Sequence, residues 1–190
     1  MYKLCKTEQS SRRQRELELA LLDMMKKEPY QDITVSSLCE IKGVPRKAFY
    51  RYFDHKDDAL DALIDHTLME TEFFGSPVKG RTLLGELDKI YVFWKRNSSL
   101  LDVLAKNGMS SKLVDRCVLY SISSAIPLDK YLSSEPKQMQ EHIVKFAISG
   151  LMYSVINWHK SGFRETPREM ANIAVRLFNS PLFPGVETKM

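Results

Sequence analysis

Apolar positions along this chain recur at intervals of three and four and never in sustained alternation, so the pattern predicts helices throughout and no strands. Residues 1–10 are polar and read as a frayed end. From about Ser11, one helical face carries Leu17, Ala20, Leu21, Met24 and Met25, and Pro29 ends it. Thr34 is a good N-cap for a short helix whose apolar face is Val35, Leu38 and Cys39. Ile33 and Leu38 fall at the N′ and N4 positions of a hydrophobic staple. Gly43 stops that helix, Val44 plugs the corner, and Pro45 has the φ of a first helical turn. The second short helix packs through Ala48, Phe49 and Phe53 and exposes Arg46, Lys47 and Tyr50. Asp54, with Asp57 three residues on, reads as the next cap; Leu60, Leu63, Ile64 and Leu68 face inward to about Phe73.

The second half is helical by the same reasoning. GSPVKG, residues 75–80, is a turn-rich break and the best candidate for a boundary between two domains. Leu83, Leu84, Leu87, Ile90, Tyr91 and Trp94 form one face. A short helix with Leu100, Leu101 and Leu104 ends at Asn107-Gly108, and another runs from Leu113 to about Ala125, before Pro127. Pro136 to His159 carries a broad stripe of Met139, Ile143, Phe146, Ala147, Gly150, Leu151, Ser154, Val155 and Trp158, stopped by Gly162. Thr166, Pro167 and Glu169 are start signals for a last helix with Met170, Ile173, Ala174, Leu177 and Phe178 on its stripe. Asn179-Ser180-Pro181 ends it, and a tail with two prolines follows. A glycine inside a strong helix costs roughly 1 kcal/mol relative to alanine. Gly150, with small or aromatic neighbours along its stripe, therefore predicts a close approach by a symmetry mate or by the final helix.

Two short helices joined by a glycine turn, the second rich in cations and tyrosine, read as a helix-turn-helix. The stretch TVxxLCxxKGVPxxAFYRYFxxKDxxL resembles the DNA-binding segment of TetR-family transcriptional regulators. Thr34, Gly43, Val44, Phe49, Tyr50, Phe53 and Lys56 match that family's pattern; Lys42, Pro45 and Ala59 depart from it. Pro45 matters most, because it removes a hydroxyl that would cap the recognition helix. The resemblance implies an all-α fold: an N-terminal three-helix DNA-binding domain with a helix-turn-helix, residues 1–55, and a C-terminal helical ligand-binding and dimerisation domain, residues 56–190. It implies a cytoplasmic homodimer on a palindromic double-stranded operator, acting as a repressor that an unknown small-molecule effector releases. The last two helices resemble the family's dimerising pair, with Phe146, Gly150, Trp158, Ile173 and Leu177 as the contact residues. WHKSGFRETPREMANIAVRLF also looks like the ending of a subgroup that includes dihydroxyacetone-operon regulators, a match that assigns no operon. The alternative is a helical adaptor of the same fold that acts through a protein partner and binds DNA weakly.

Charge sharpens this picture. The net charge of +4 over 190 residues is mild, but its distribution is uneven. Residues 1–15 hold five Lys/Arg against one acid, and residues 41–56 again five against one, while residues 16–40 hold six acids against two lysines. Two basic patches flanking an acidic scaffold fit a protein that meets phosphate with selected edges. Arg46 and Lys47, long donors at the start of the recognition helix, are candidates for base edges. Thr34, Tyr50 and Lys56 are candidates for the DNA backbone, as the resemblance also implies; a phosphate at Lys56 would suit both the lysine and the helix N-terminus. Arg12, Arg13 and Arg15 lie near the start of the first helix, where the resemblance lets basic residues reach the DNA backbone.

An enzyme is not indicated: no G-x-S-x-G, P-loop or G-x-G-x-x-G occurs, and the four histidines lack metal-ligand spacing. His66 and Glu70 read as an exposed i, i+4 pair. No cofactor or metal is expected. Three scattered cysteines suit a reducing compartment, and no signal peptide or membrane span is apparent. Tyr91, Trp94, Tyr120 and Tyr153, in an aromatic and sulfur-rich middle, fit either plain core or an apolar pocket with polar handles. The resemblance favours the pocket.

Overall fold

Every regular element in the computed structural model, which describes residues 2, 3, 5, 7–71, 82–123 and 136–179, is helical. Helix α1 (Glu8–Lys27) starts ahead of the position that its apolar spacing suggests. Thr7 supplies the reason: its hydroxyl accepts from the Ser10 N–H at 3.2 Å, and the Ser10 hydroxyl accepts from the Thr7 N–H at 3.2 Å. The chain before it is not frayed at Tyr2, Lys3 and Cys5, which are hydrogen-bonded to the helical body. A 3₁₀ turn (Tyr30–Asp32) leads to α2 (Val35–Ile41), α3 (Arg46–Phe49) and α4 (Lys56–Met69). The second half contains α5 (Leu83–Arg96), α6 (Ser98–Lys106), α7 (Ser110–Ser123), α8 (Lys137–Lys160) and α9 (Pro167–Asn179). The fourth helix ends at Met69, short of Phe73, while the GSPVKG break, the segment around Ala125 and Pro127, and the proline tail lie outside the described residues.

Helix α1 packs on α2, α4 and α6, and α4 in turn packs on α7; α8 lies against α7, and α9 against α5. One apolar cluster, from Leu17 to Ala174, therefore runs through the whole molecule. Helix α4 is its hinge element, buried from α1 on one side and from α7 on the other. The link is reinforced by polar contacts between the halves. The Asn107 side chain accepts from the Tyr30 N–H at 2.6 Å, and Lys106 donates to the Lys26 carbonyl at 3.0 Å, covering the end of α1.

The broad stripe of α8 resolves into two faces. Val144, Leu151, Met152, Val155, Ile156 and Trp158 are buried, whereas Met139, Ile143, Phe146, Gly150 and Tyr153 are exposed. Helix α9 divides likewise: Met170, Ala171 and Ala174 face inward, and Ile173, Leu177 and Phe178 are exposed. A helix with apolar residues on two faces covers only one of them against its own protomer. Trp158 belongs to the inner face, which corrects its assignment to a contact between copies. Only 2% of it is exposed; its ring meets Tyr91 and Phe163 edge-on, and its Nε1 donates to the Glu165 carbonyl at 3.0 Å. Gly162, at φ +76°, turns the chain out of α8, and the Thr166 N–H donates to Glu169 at 2.7 Å to open α9.

Candidate nucleic-acid interface

Thr34 opens α2 as its spacing implies. Its hydroxyl accepts from the Ser37 N–H at 3.0 Å, and the Ser37 hydroxyl accepts from the Thr34 N–H at 3.0 Å. Ile33 and Leu38, the staple pair, are both buried. At the other end Gly43 takes φ +62°. Its N–H donates to the Glu40 carbonyl, and the Val44 N–H donates to the Cys39 carbonyl, both at 3.0 Å. That pair of bonds is a Schellman closure, which needs a left-handed residue at Gly43. The turn aims α3 away from α2 and leaves Val44 half-buried at the corner.

Helix α3 is a single turn. Pro45 occupies its N-cap, with ψ 148°, rather than its first helical position, and provides no side-chain cap. So short a helix is not stable by itself, and burial must hold it. Phe49 and Phe53, both fully buried with ring centroids 5.1 Å apart, supply that anchor. The opposite side presents Arg46, Lys47, Tyr50 and Arg51 to solvent. Arg46 lies over the Tyr50 ring, 5.9 Å from its centroid, with its guanidinium 3.3 Å from the Tyr50 hydroxyl. That hydrogen bond pushes the already charged Arg46 guanidinium further up. Lys42 adds another exposed cation at the end of α2.

Lys56 is placed differently. It begins α4 beneath the α1–α2 connection, where its ammonium donates to the Tyr30 carbonyl at 2.5 Å and the Ile33 carbonyl at 2.6 Å. It also lies 4.1 Å from the Tyr30 ring centroid. Two carbonyls and an aromatic face occupy this cation, so Lys56 braces the helix-turn-helix from behind. The cap of α4 is His55 rather than Asp54, and Asp58 rather than Asp57 returns the bond, accepting from the His55 N–H at 2.9 Å. Burial and the Asp57 carboxylate push the Tyr30 phenol far up, so it stays protonated and donates to Asp57 at 2.5 Å.

The basic residues of α1 also separate. Arg15 is drawn into ion pairs with Glu18 at 3.1 Å and Glu70 at 2.8 Å, and His66 contacts the fully buried Glu18 at 2.9 Å. His66 and Glu70 therefore each pair with α1 rather than with one another. Arg13 remains exposed, and with Lys3 and Arg51 it lines a recess at the start of α1. Lys3 and Arg51 escaped the sequence reading. Arg51 sits in the expected basic patch, whereas nothing local to Lys3 signals that it reaches the recognition helix.

A second recess, a cavity of about 450 Å³, opens between the end of α4 and helices α5, α7 and α8. Leu68, Ile90, Trp94, Cys117, Leu151 and Met152 are its buried lining, and Glu70, Asp88, Lys89 and Arg96 are also on its wall. Of the four aromatic residues expected there, Trp94 alone is on the wall. Tyr91 is fully buried with its hydroxyl 2.6 Å from Ser154, Tyr120 is half-buried elsewhere, and Tyr153 is 49% exposed. The spacing of these residues locates their faces on the helices but not the gap between them.

Comparison with known proteins decides the family. A model described as the transcriptional regulator C-terminal region of TetR type matches residues 87–180. The chain belongs to the TetR family. Two solved structures share its fold. "Dihydroxyacetone kinase operon activator DhaS" superposes with a TM-score of 0.56 at 14% identity, over 86% of this chain and 92% of that one. A TetR-family transcriptional regulator from Streptomyces coelicolor gives a TM-score of 0.57 at 17% identity, over 88% and 79%. No curated protein matches in sequence. Proteins of the TetR family regulate transcription by binding DNA and are generally not enzymes. Among the described residues no group of His, Cys, Asp or Glu is arranged to hold a metal, and no helix is long and apolar enough to cross a membrane.

Proposed function

We propose that this TetR-family protein is a cytoplasmic homodimeric repressor that binds a palindromic operator and is released by a small molecule entering the α4–α5–α7–α8 cavity. The observation that carries the reading is the recognition helix, which buries Phe49 and turns Arg46, Lys47 and Tyr50 to solvent on a basic face. In this reading residues 1–55 bind DNA and residues 56–190 regulate and dimerise. Arg46 and Lys47 read base edges, Thr34 and Tyr50 meet phosphate or sugar, and Lys56 supports them from within.

Dimerisation uses the outer faces of α8 and α9, through Phe146, Gly150, Ile173 and Leu177. The effector site is the cavity beside Trp94, whose buried lining is apolar and suits an apolar body, while the charged residues on its wall suit a polar end. Cavity and recognition unit meet at α4, which bears Leu68 on the cavity wall and packs on α1 at its other side. Ligand binding that displaces α4 would thus reposition the helix-turn-helix.

Selection of bound fragments from random duplex DNA tests this directly. An inverted repeat should emerge, with affinity falling steeply as salt rises, because phosphate contacts release counterions. Selected sequences without two-fold symmetry, or a flat salt response, would favour an adaptor that works through a protein partner. A reporter carrying the selected site then reads the sign of regulation: lower expression is the result expected, and higher expression would make the protein an activator, the role that the name of DhaS gives to that neighbour.

A further inference from the structure

A short link ahead of α1, made by Tyr2 and Lys3, joins the recognition turn to α4. Lys3 is at its centre. Its N–H donates to the Tyr52 carbonyl at 2.9 Å, and its ammonium donates to the Tyr50 carbonyl at 3.0 Å and pairs with Asp54 at 3.1 Å. Those carbonyls belong to the turn that closes α3, whose last groups have no further helix to satisfy them. Because Pro45 leaves the start of α3 without a side-chain cap, the position of this helix depends on its far end.

Tyr2 ties the same segment to α4. Its hydroxyl donates to Asp65 at 2.9 Å, and its ring meets His66 edge-on at 5.7 Å. Burial and the Asp65 carboxylate drive the Tyr2 phenol far up, which keeps it a donor. Asp65 is itself buried and shared: Arg116 of α7 donates to it through Nε at 2.8 Å and again through Nη2. Arg116 precedes Cys117, which lies on the cavity wall. One carboxylate thus joins the wall of the regulatory cavity to the segment that holds the recognition turn.

We propose that Tyr2 and Lys3 are positioning residues for DNA recognition, forming a strap that sets the recognition helix according to the state of the Asp65–Arg116 pair. The proposal rests on the DNA-binding reading above and adds a polar route through the Asp65 side chain of α4 to the one carried by the packing of α4 on α1. A shift of α7 that draws Arg116 from Asp65 lets the carboxylate follow or release Tyr2, and Lys3 moves with it. Carbonyls of Tyr50 and Tyr52 then lose their fixed donors.

Hydrogen exchange of the full chain without DNA tests the strap. Tyr2→Phe should speed exchange at the Tyr50, Tyr52 and Phe53 amides by about 5–30-fold, the factor for loss of one or two kcal/mol of local stability. Arg116→Gln, although it lies on α7, should speed the same amides, and the double variant should exceed neither single change by much. Arg116→Lys should restore most of the protection, and amides in α8 should not change. Unaltered exchange at residues 50–53 in Tyr2→Phe would overturn the proposal. So would independent, additive effects, or acceleration throughout the chain, which marks general destabilisation.

Binding supplies the second readout. On a duplex that the parent protein selects from random DNA, Lys3→Met and Tyr2→Phe should each weaken affinity about tenfold while sedimentation stays unchanged. Unchanged affinity would remove the positioning role even if the strap exists. Failure of the parent to select any duplex would refute the DNA-binding reading and this role with it, whereas exchange alone decides whether the strap couples α7 to α3.

Discussion

Phe146 is 73% exposed on the outer face of α8, in line with Met139, Ile143, Gly150 and Tyr153. Those positions alternate by four and three, the spacing of a seam between two helices. Replacing Phe146 with Ala therefore has opposite effects on a single protomer and on an assembled pair. Within the protomer it removes little packing, and alanine is the better helix former by up to ~0.7 kcal/mol. Across a seam, full burial of a phenylalanine is worth ~1.5–3 kcal/mol. Scaling by the exposed fraction leaves ~1–2 kcal/mol per protomer, or ~2–4 kcal/mol for a two-fold pair in which the residue occurs twice.

At ~1.4 kcal/mol per factor of ten, this corresponds to a dimer weakened roughly 30-fold to several hundred-fold. Sedimentation velocity over a concentration series measures the shift. Thermal melts give a second view, because a dimer's melting temperature rises with concentration and a monomer's does not. The expected result is a Phe146→Ala protein that remains folded and helical, is monomeric at concentrations where the parent is dimeric, and melts independently of concentration. A variant whose mass and concentration dependence equal the parent's would refute the seam.

The other expectations concern neighbouring sites. Among the described residues nothing beyond the backbone of its own helix lies within 4 Å of a Cβ built on Gly150, so Gly150→Leu should be harmless to an isolated protomer yet overpack a close contact between copies by ~1–3 kcal/mol; an unchanged dimer and melting temperature would show that no helix approaches there. Lys56→Met removes two hydrogen bonds from an ammonium and should lower stability by ~1.5–3 kcal/mol in a denaturant melt; an unchanged midpoint with weaker DNA binding would return Lys56 to the phosphate contacts. Arg46→Ala or Lys47→Ala should relax preference at particular base pairs by ~1–3 kcal/mol, and equal losses on all sequences in a binding selection would make them backbone contacts instead.

Local chemistry was legible in the sequence because its partners lie within a few residues. Thr34, Gly43, Gly162 and the Thr166–Glu169 box act where their spacing predicts, since a cap or a Schellman turn is specified by a short stretch of chain. The one-residue error at α4 arose between two similar acidic positions: Asp58, not Asp57, reaches the free N–H groups of Asp54 and His55. Long-range polar pairing was not legible. Lys56 sits where a helix start and a basic patch suggest phosphate, and only the fold brings the Tyr30 and Ile33 carbonyls to it. Tyr2 and Lys3, in a stretch whose composition suggests fraying, are fixed by Asp65 and the Tyr50–Tyr52 turn, far away along the chain.

The outer faces of α8 and α9 follow from the same limit in a different form. Periodicity identifies apolar positions, but a helix bearing both Leu151 and Phe146 has more apolar surface than one neighbour can cover. The fold assigns Leu151, Val155 and Trp158 to the interior and leaves Phe146 on the far side. Trp158 and Gly150 fall on one stripe by spacing, yet the tryptophan is used by its own protomer while the glycine faces outward. Helix α9 repeats the arrangement, with Ala174 inside and Ile173 and Leu177 about half exposed. Two consecutive helices each leave an apolar face exposed, and a second copy can cover those faces with the same two faces of its own, as two-fold pairing requires. Pairing through these faces would use the apolar side chains that remain after the protomer's own core has been filled, not the stripe as a whole.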